Sequence, residues 1–234
     1  MLILLTLLFA AFIQTSAGFG LALVSMPLLT AQIGVQNAAP LVAVVTLLPE
    51  FSILLRHRQA LDLRAVGLFA AAAVPGIPLG ILFLSRFEPD WVTRLLGVLL
   101  IAYALYALLA PRLPTLRHPV WAIGLGFLGG LLNGAYNTGG PPIIIYGTCR
   151  RWETTQFKSN LQAYFLVTSL LTLAAHLFGG TLTPAVQAHL PAALLGAGLG
   201  LLLGFSLERR IPATRFRQGV FLLLLILGLR LLLA

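Results

Sequence analysis

Between Asn133 and Tyr146 the chain reads N-G-A-Y-N-T-G-G-P-P-I-I-I-Y, a cluster of amides, hydroxyls, glycines and prolines inside an apolar run. Pro141 and Pro142 lack the N–H that a helix interior needs but suit the first turn of a new helix. A half-helix is therefore predicted to start at Pro141, with Asn133, Gly134, Gly139 and Gly140 interrupting the regular helix before it. At membrane depth the N-terminus of such a half-helix aims unpaired backbone N–H groups at one point, an arrangement suited to a small anion. The candidate contact residues at this tip are Asn133, Tyr136, Asn137, Thr138, Gly139 and Gly140. A second polar interruption, Gln14–Gly20, offers Ser16, Gly18, Phe19 and Gly20 as its counterpart. Two such tips could hold an anion without a buried Arg, at a lower desolvation cost. The competing explanation is a kink relieved by neighbouring packing, since Gly and Pro are common in membrane helices. A Gly-Gly-Pro-Pro flanked by two Asn and two Tyr favours a site.

Few ionisable residues fall within apolar runs. Glu50, after Pro49, is the clearest intramembrane acid and the candidate for proton coupling. A carboxylate close enough to Arg56 and Arg58 to reach water is the equally weighted alternative. His57 and His176 fall at span ends and read as interfacial anchors, and His118 and His189 read as loop residues. Asn160, Gln162, Tyr164, Thr168, Ser169 and Thr172 could add donors, although hydrogen bonding between helices explains most such residues. No catalytic residue, metal site or cofactor motif is found. The chain has no His-Glu-x-x-His, no Gly-x-Ser-x-Gly and no P-loop, and Cys149 has no ligand spacing to any His.

The elements that must position these residues are membrane helices. The chain is 59% hydrophobic and 9% charged, whereas a soluble domain carries about 25% charged residues. Its apolar runs are about twenty residues long, the length that crosses a hydrocarbon core. The formal charge of +9 resides in short loops, where it meets lipid headgroups, so it is no nucleic-acid footprint. The first run, Leu2–Thr30, breaks at Gln14–Gly20. Spans are predicted at about 38–55, 64–84 and 91–110. A second broken run, about 120–148, precedes spans near 157–178, 189–207 and 214–233.

The order repeats, dividing the chain into 1–110, a connector 111–119, and 120–234. At an offset of 119, Gly20 meets Gly139, His57 meets His176 and Leu63 meets Leu182. At 120, Val74–Gly80 meets Leu194–Gly200, and at 122 Gly97-Val98 meets Gly219-Val220. So small a drift supports duplication, a habit of secondary transporters. If all eight runs cross, Lys and Arg divide 9 (Arg86, Arg94, Arg150, Arg151, Lys158, Arg209, Arg210, Arg215, Arg217) against 6 (Arg56, Arg58, Arg64, Arg112, Arg117, Arg230). If each broken run enters and leaves on one side, Arg86, Arg94 and Arg230 alone occupy one face, a division of 12 against 3. The second is better polarised. The expectation is an all-α polytopic membrane protein of two inverted repeats, each a re-entrant hairpin plus three transmembrane helices. Eight full spans are the alternative.

Ser16-Ala17-Gly18-Phe19-Gly20 with Met26-Pro27-Leu28-Leu29, its partner Asn137-Thr138-Gly139-Gly140-Pro141-Pro142, and the four-plus-four plan resemble the TauE/SafE sulfite exporter family of bacterial permeases. The resemblance spans essentially the whole chain. Many relatives carry a further Pro where this chain has Ile143-Ile144-Ile145-Tyr146. It implies secondary transport of a small organic or sulfur-containing anion such as sulfite, a sulfonate or sulfoacetate, with proton coupling open, in a bacterial inner membrane. The expected partners are thus the small anion, the lipid bilayer and protons, with a homo-oligomer left open. A membrane-embedded enzyme and a non-transporting scaffold are the rival readings.

Overall fold

Inside a bilayer every backbone N–H and C=O must find its partner within the protein, so long apolar runs become helices. The computed structural model describes residues 1–109, 115–116, 118–207 and 213–233, with side chains from 216 onward in the last segment. Arg112, Arg117, Arg209, Arg210, the side chain of Arg215 and most of the 111–119 connector lie outside the described residues. Helices α1 (Leu2–Ala17), α2 (Leu21–Ile33), α3 (Val35–Val45), α4 (Leu47–His57), α5 (Leu63–Ala73), α6 (Gly76–Arg86) and α7 (Pro89–Leu109) are followed by α8 (Pro119–Tyr136), α9 (Gly140–Cys149), α10 (Thr154–Phe178), α11 (Pro184–Leu207) and α12 (Ala213–Leu233). Among the described residues, six stretches are long and apolar enough to cross a membrane: Val35–Ala60, Leu63–Arg86, Pro89–Leu109, Thr154–Phe178, Pro184–Leu207 and Phe216–Leu233. The protein is therefore an all-helical multi-pass membrane protein.

Prolines account for the interruptions within two of these spans. Pro49 cannot donate to the carbonyl of Val45, and the helix is interrupted at Thr46 between α3 and α4, close to Glu50. Pro75 and Pro78 do the same between α5 and α6. Elsewhere, helix starts are capped as their residues dictate. The Asp62 carboxylate accepts from the N–H groups of Arg64 and Ala65 at 3.0 and 3.1 Å. Helix α11 begins at Pro184 rather than near 189, with the Thr183 hydroxyl accepting from Val186 N–H. His189 is therefore helical rather than in a loop.

Both broken runs differ in detail from the sequence expectation. Helix α1 continues through Gln14, Thr15 and Ser16 and ends only at Gly18, whose φ of 85° is left-handed. Nothing in those three polar residues forbids helix: the Thr15 hydroxyl donates to its own helix at Ala11 O, 2.8 Å away. Likewise Asn133 and Gly134 lie inside α8, which ends at a left-handed Asn137 with φ 54°. Helix α9 starts at Gly140, one residue before Pro141.

Each broken run folds back on itself. Gln32 near the end of α2 donates to the Thr6 hydroxyl near the start of α1 at 3.1 Å. Arg150, just past α9, donates to the carbonyl of Leu116, just before α8, at 3.4 Å. Glycines then dock each hairpin's longer arm on a span from the other half. Gly196, Gly200 and Gly204 of α11 press on Leu4, Leu8 and Thr15 of α1, leaving no room for a Cβ. Gly126, Gly130 and Gly134 of α8 press on Phe69, Ala73 and Ile77 of α5 and α6 in the same way. In both pairs the numbers rise together, so the helices run parallel. By contrast, α7 and α12 run antiparallel, Gly97 meeting Gly228 while the Tyr103 ring meets Phe221 at 5.8 Å. These directions gather Arg56, Arg58, Arg64, Arg150, Arg151, Lys158 and Arg217 at one end of the bundle. Arg86, Arg94 and Arg230 lie at the other.

Candidate functional site

The two hairpin tips meet α4 and α10 in the interior. Gln14, Phe19, Gly20, Ala22, Leu23, Thr46, Glu50, Asn133, Asn137, Thr138, Gly140 and Phe165 surround a cavity of about 20 Å³ there. That is room for about one water molecule. A ligand larger than a water molecule needs the tips to move apart.

Glu50 is buried, 4% exposed, on the side of α4 that meets α10. Its Oε1 accepts a hydrogen bond from the Ser169 hydroxyl at 3.0 Å, while its Oε2 has no protein partner. The carboxylate does not reach toward Arg56 and Arg58. Asn137 Nδ2 donates to the carbonyl of Ala39 at 2.7 Å, which leaves its Oδ1 unpaired. The Thr138 hydroxyl is also buried and unpaired. Asn133 Nδ2 donates to the Thr172 hydroxyl at 2.9 Å, and Gln162 Nε2 to the carbonyl of Gly18 at 2.7 Å. Both tips are thereby tied to α10. Unpaired buried polar atoms cost free energy unless a water or ligand satisfies them, and three of them belong to residues around one cavity.

Of the residues singled out in the sequence, Phe19, Gly20, Glu50, Asn133, Asn137, Thr138 and Gly140 line this cavity. Four do not. The Tyr136 hydroxyl turns away to donate to the carbonyl of Val92 on α7 at 2.8 Å. Gly18 turns its carbonyl to Gln162. Gly139 packs against the carbonyl of Gly129 and the side chain of Asn133. Ser16 is buried in the last turn of α1. Conversely, Thr46, Phe165, Ala22 and Leu23 line the cavity without having been singled out. Thr46 precedes Glu50 by four residues, one helical turn, and that spacing could have found it.

Of the six polar residues singled out on α10, Ser169 and Thr172 bond side chains on other helices, whereas Gln162 bonds the first tip and the Tyr164 hydroxyl has no partner. Asn160 Oδ1 accepts from Asp62 N–H at 2.9 Å, and the Thr168 hydroxyl bonds its own helix. His176 departs from the interfacial role expected of it. It is fully buried, its Nδ1 2.8 Å from the Thr181 hydroxyl.

The second half-helix offers fewer donors than its sequence promised. The first residues of a helix have N–H groups without intrahelical partners, but two of those positions in α9 are Pro141 and Pro142. In α2 the Leu21 N–H is taken by Gln14 Oε1 at 2.9 Å. Ala22 and Leu23, the next two first-turn positions, border the cavity.

A family model described as sulfite exporter TauE/SafE matches residues 3–231. The chain is also 29% identical over 208 residues to a probable sulfite/organosulfonate exporter TauE of Cupriavidus necator, covering 86% of this chain and 79% of that protein. No solved structure gives a match.

Proposed function

Because the chain belongs to the sulfite exporter TauE/SafE family, we propose that it exports sulfite or an organosulfonate across the bacterial inner membrane, with coupling to protons at Glu50. As a member of that family it is a multi-pass membrane transporter and not an enzyme. The Cupriavidus relative supplies the substrate class. The Arg-rich end of the bundle, by the positive-inside rule, is the cytoplasmic face.

We read residues 1–110 and 120–234 as inverted repeats joined by the 111–119 connector, moving against each other around the central cavity. Three features support this. Helices α2 and α9 start at 21 and 140, and α3 and α10 start at 35 and 154, the same offset of 119. The corresponding helices α7 and α12 are antiparallel. Glu50 and Ser169, themselves 119 residues apart, touch across the interior.

The observation that carries the coupling is the half-satisfied, buried carboxylate of Glu50 in the cavity between the tips. Two like charges about 5 Å apart repel by roughly 3 kcal/mol at an effective dielectric of about 20. An anion therefore enters this cavity far more readily when Glu50 is protonated, and by linkage the anion raises the proton affinity of Glu50 in return. The test uses proteoliposomes and an alkanesulfonate, whose charge does not change between pH 5.5 and 8. Wild-type flux should vary with pH, and Glu50→Gln should exchange substrate with little pH dependence. A Glu50→Gln variant with the wild-type pH profile would remove Glu50 from the coupling.

A further inference from the structure

A second cavity, of about 300 Å³, lies toward the Arg-rich end of the bundle and is bordered by the first tip. Its walls include Phe19, Tyr103, Tyr106, Phe157, Arg217 and Phe221. We propose that this vestibule is the docking site of the anion on the cytoplasmic side, and that it selects a sulfonate carrying a short apolar body. The assignment rests on the transport reading above and adds to it a place and a substrate preference.

Around the central cavity the unpaired atoms are Glu50 Oε2 and Asn137 Oδ1, which accept, and the Thr138 hydroxyl, which can donate or accept. The vestibule residues Tyr103, only 4% exposed, and Arg217 carry an unpaired hydroxyl and a buried, unpaired Nε–H. The guanidinium is held in place, its Nη2 donating to the carbonyl of Ala17 at 3.2 Å and its centre 5.8 Å from the Phe19 ring. No carboxylate is among the described residues that line the vestibule. A positioned guanidinium with unpaired donors and no competing acid is complementary to an oxyanion.

Size and wall chemistry narrow the ligand. At about 300 Å³ the vestibule admits a small organic anion, which the central cavity of about 20 Å³ does not. Five aromatic rings around one cation suit a ligand with a charged head and an apolar body. An adjoining cavity of about 250 Å³ shares Thr148, Phe157 and Arg217 and adds Arg151, so the approach from the basic face is also cationic. Phe19 lines both the vestibule and the central cavity. An anion moving inward from Arg217 passes that ring.

Titration calorimetry on purified protein with propane-1-sulfonate and methanesulfonate tests the site. Arg217→Gln should weaken propane-1-sulfonate binding by about tenfold or more, and Arg217→Lys should restore part of it. Tyr103→Phe, which removes one hydroxyl, should weaken binding by about threefold to tenfold. Wild-type protein should prefer propane-1-sulfonate to methanesulfonate by about tenfold, from two additional buried methylenes. Arg230→Gln, at the opposite end, should bind as wild type. Unchanged affinity in monodisperse Arg217→Gln and Tyr103→Phe, or sulfonate flux with an unchanged KM in Arg217→Gln, overturns the vestibule assignment and leaves the transport reading standing. Equal affinity for the two sulfonates overturns the preference for an apolar body. Wild-type protein that neither binds nor moves any sulfonate or sulfite overturns both readings together.

Discussion

The two hairpin tips follow one backbone plan and present different chemistry. Gly18 and Asn137 both end their helices in the left-handed region, and both following helices start three residues later. At the first tip, Gly18-Phe19-Gly20, there is little side-chain chemistry, and the polar groups come from the backbone at the start of α2 and from Gln14. At the second tip, Pro141-Pro142 removes two backbone donors, and Asn137 and Thr138 supply side-chain groups instead. Even the ring that borders both cavities belongs to one tip alone, since Phe19 stands where the second tip has Thr138. Helix ends of the same left-handed kind thus host a backbone-donor surface on one side and a side-chain surface on the other, and the two backbones part at Gly20, φ 115°, and its counterpart Gly139, φ −65°.

Substitutions at the tips can break or sharpen that contrast. The largest effect is expected at Gly139, where an added Cβ would sit 2.7 Å from the carbonyl of Gly129 and 3.1 Å from the Asn133 Cβ. Backbone cannot yield as a side chain can, so Gly139→Ala should cost at or above the top of the roughly 1–3 kcal/mol range for overpacking. Thermal unfolding in detergent should show a collapse in stability or no folded protein. A well-folded variant would show that the second tip is looser than its packing.

Gln14→Leu comes next. It leaves the Leu21 N–H buried without its acceptor, which should cost about 1–3 kcal/mol. The matching change at the second tip, Asn133→Leu, breaks a bond between side chains on α8 and α10 rather than one to the tip backbone. Amide exchange should therefore open the Leu21–Leu23 turn in the first variant while the Asn133 variant leaves the second tip protected. Equal loosening of both tips would erase the distinction between backbone and side-chain anchoring.

The smallest stability change is expected at Gly140, within about 0.5 kcal/mol. Its φ lies outside the left-handed region that would strain an alanine, and a Cβ would make ordinary contact with Phe165 at 3.4 Å. Gly140→Ala nonetheless adds a methyl to a cavity of about 20 Å³. Proteoliposome assays should show flux reduced severalfold in a protein as stable as wild type. Undiminished flux would place the substrate path away from the second tip.

Composition and run length were enough to read helices and membrane spans, because an apolar segment about twenty residues long has few alternatives in lipid. The glycines and prolines marked where the first and fifth long runs break, since they alter backbone freedom locally. The distribution of arginines among the loops pointed to folded-back hairpins because charge must stay at the membrane faces. Everything that depends on helix rotation or on partners far away in the chain was decided by the tertiary structure. Tyr136 and Asn137 are neighbours, yet one hydroxyl turns to Val92 and the other residue faces the cavity. Glu50 reads the same in sequence whether it faces Arg56 or Ser169, and only the packing of α4 against α10 selects Ser169. Arg217 and Tyr103, spaced too far apart to signal a site, converge on Phe19 because α7, α12 and the first tip pack together. Local residue chemistry sets which elements form, and long-range packing sets which faces meet.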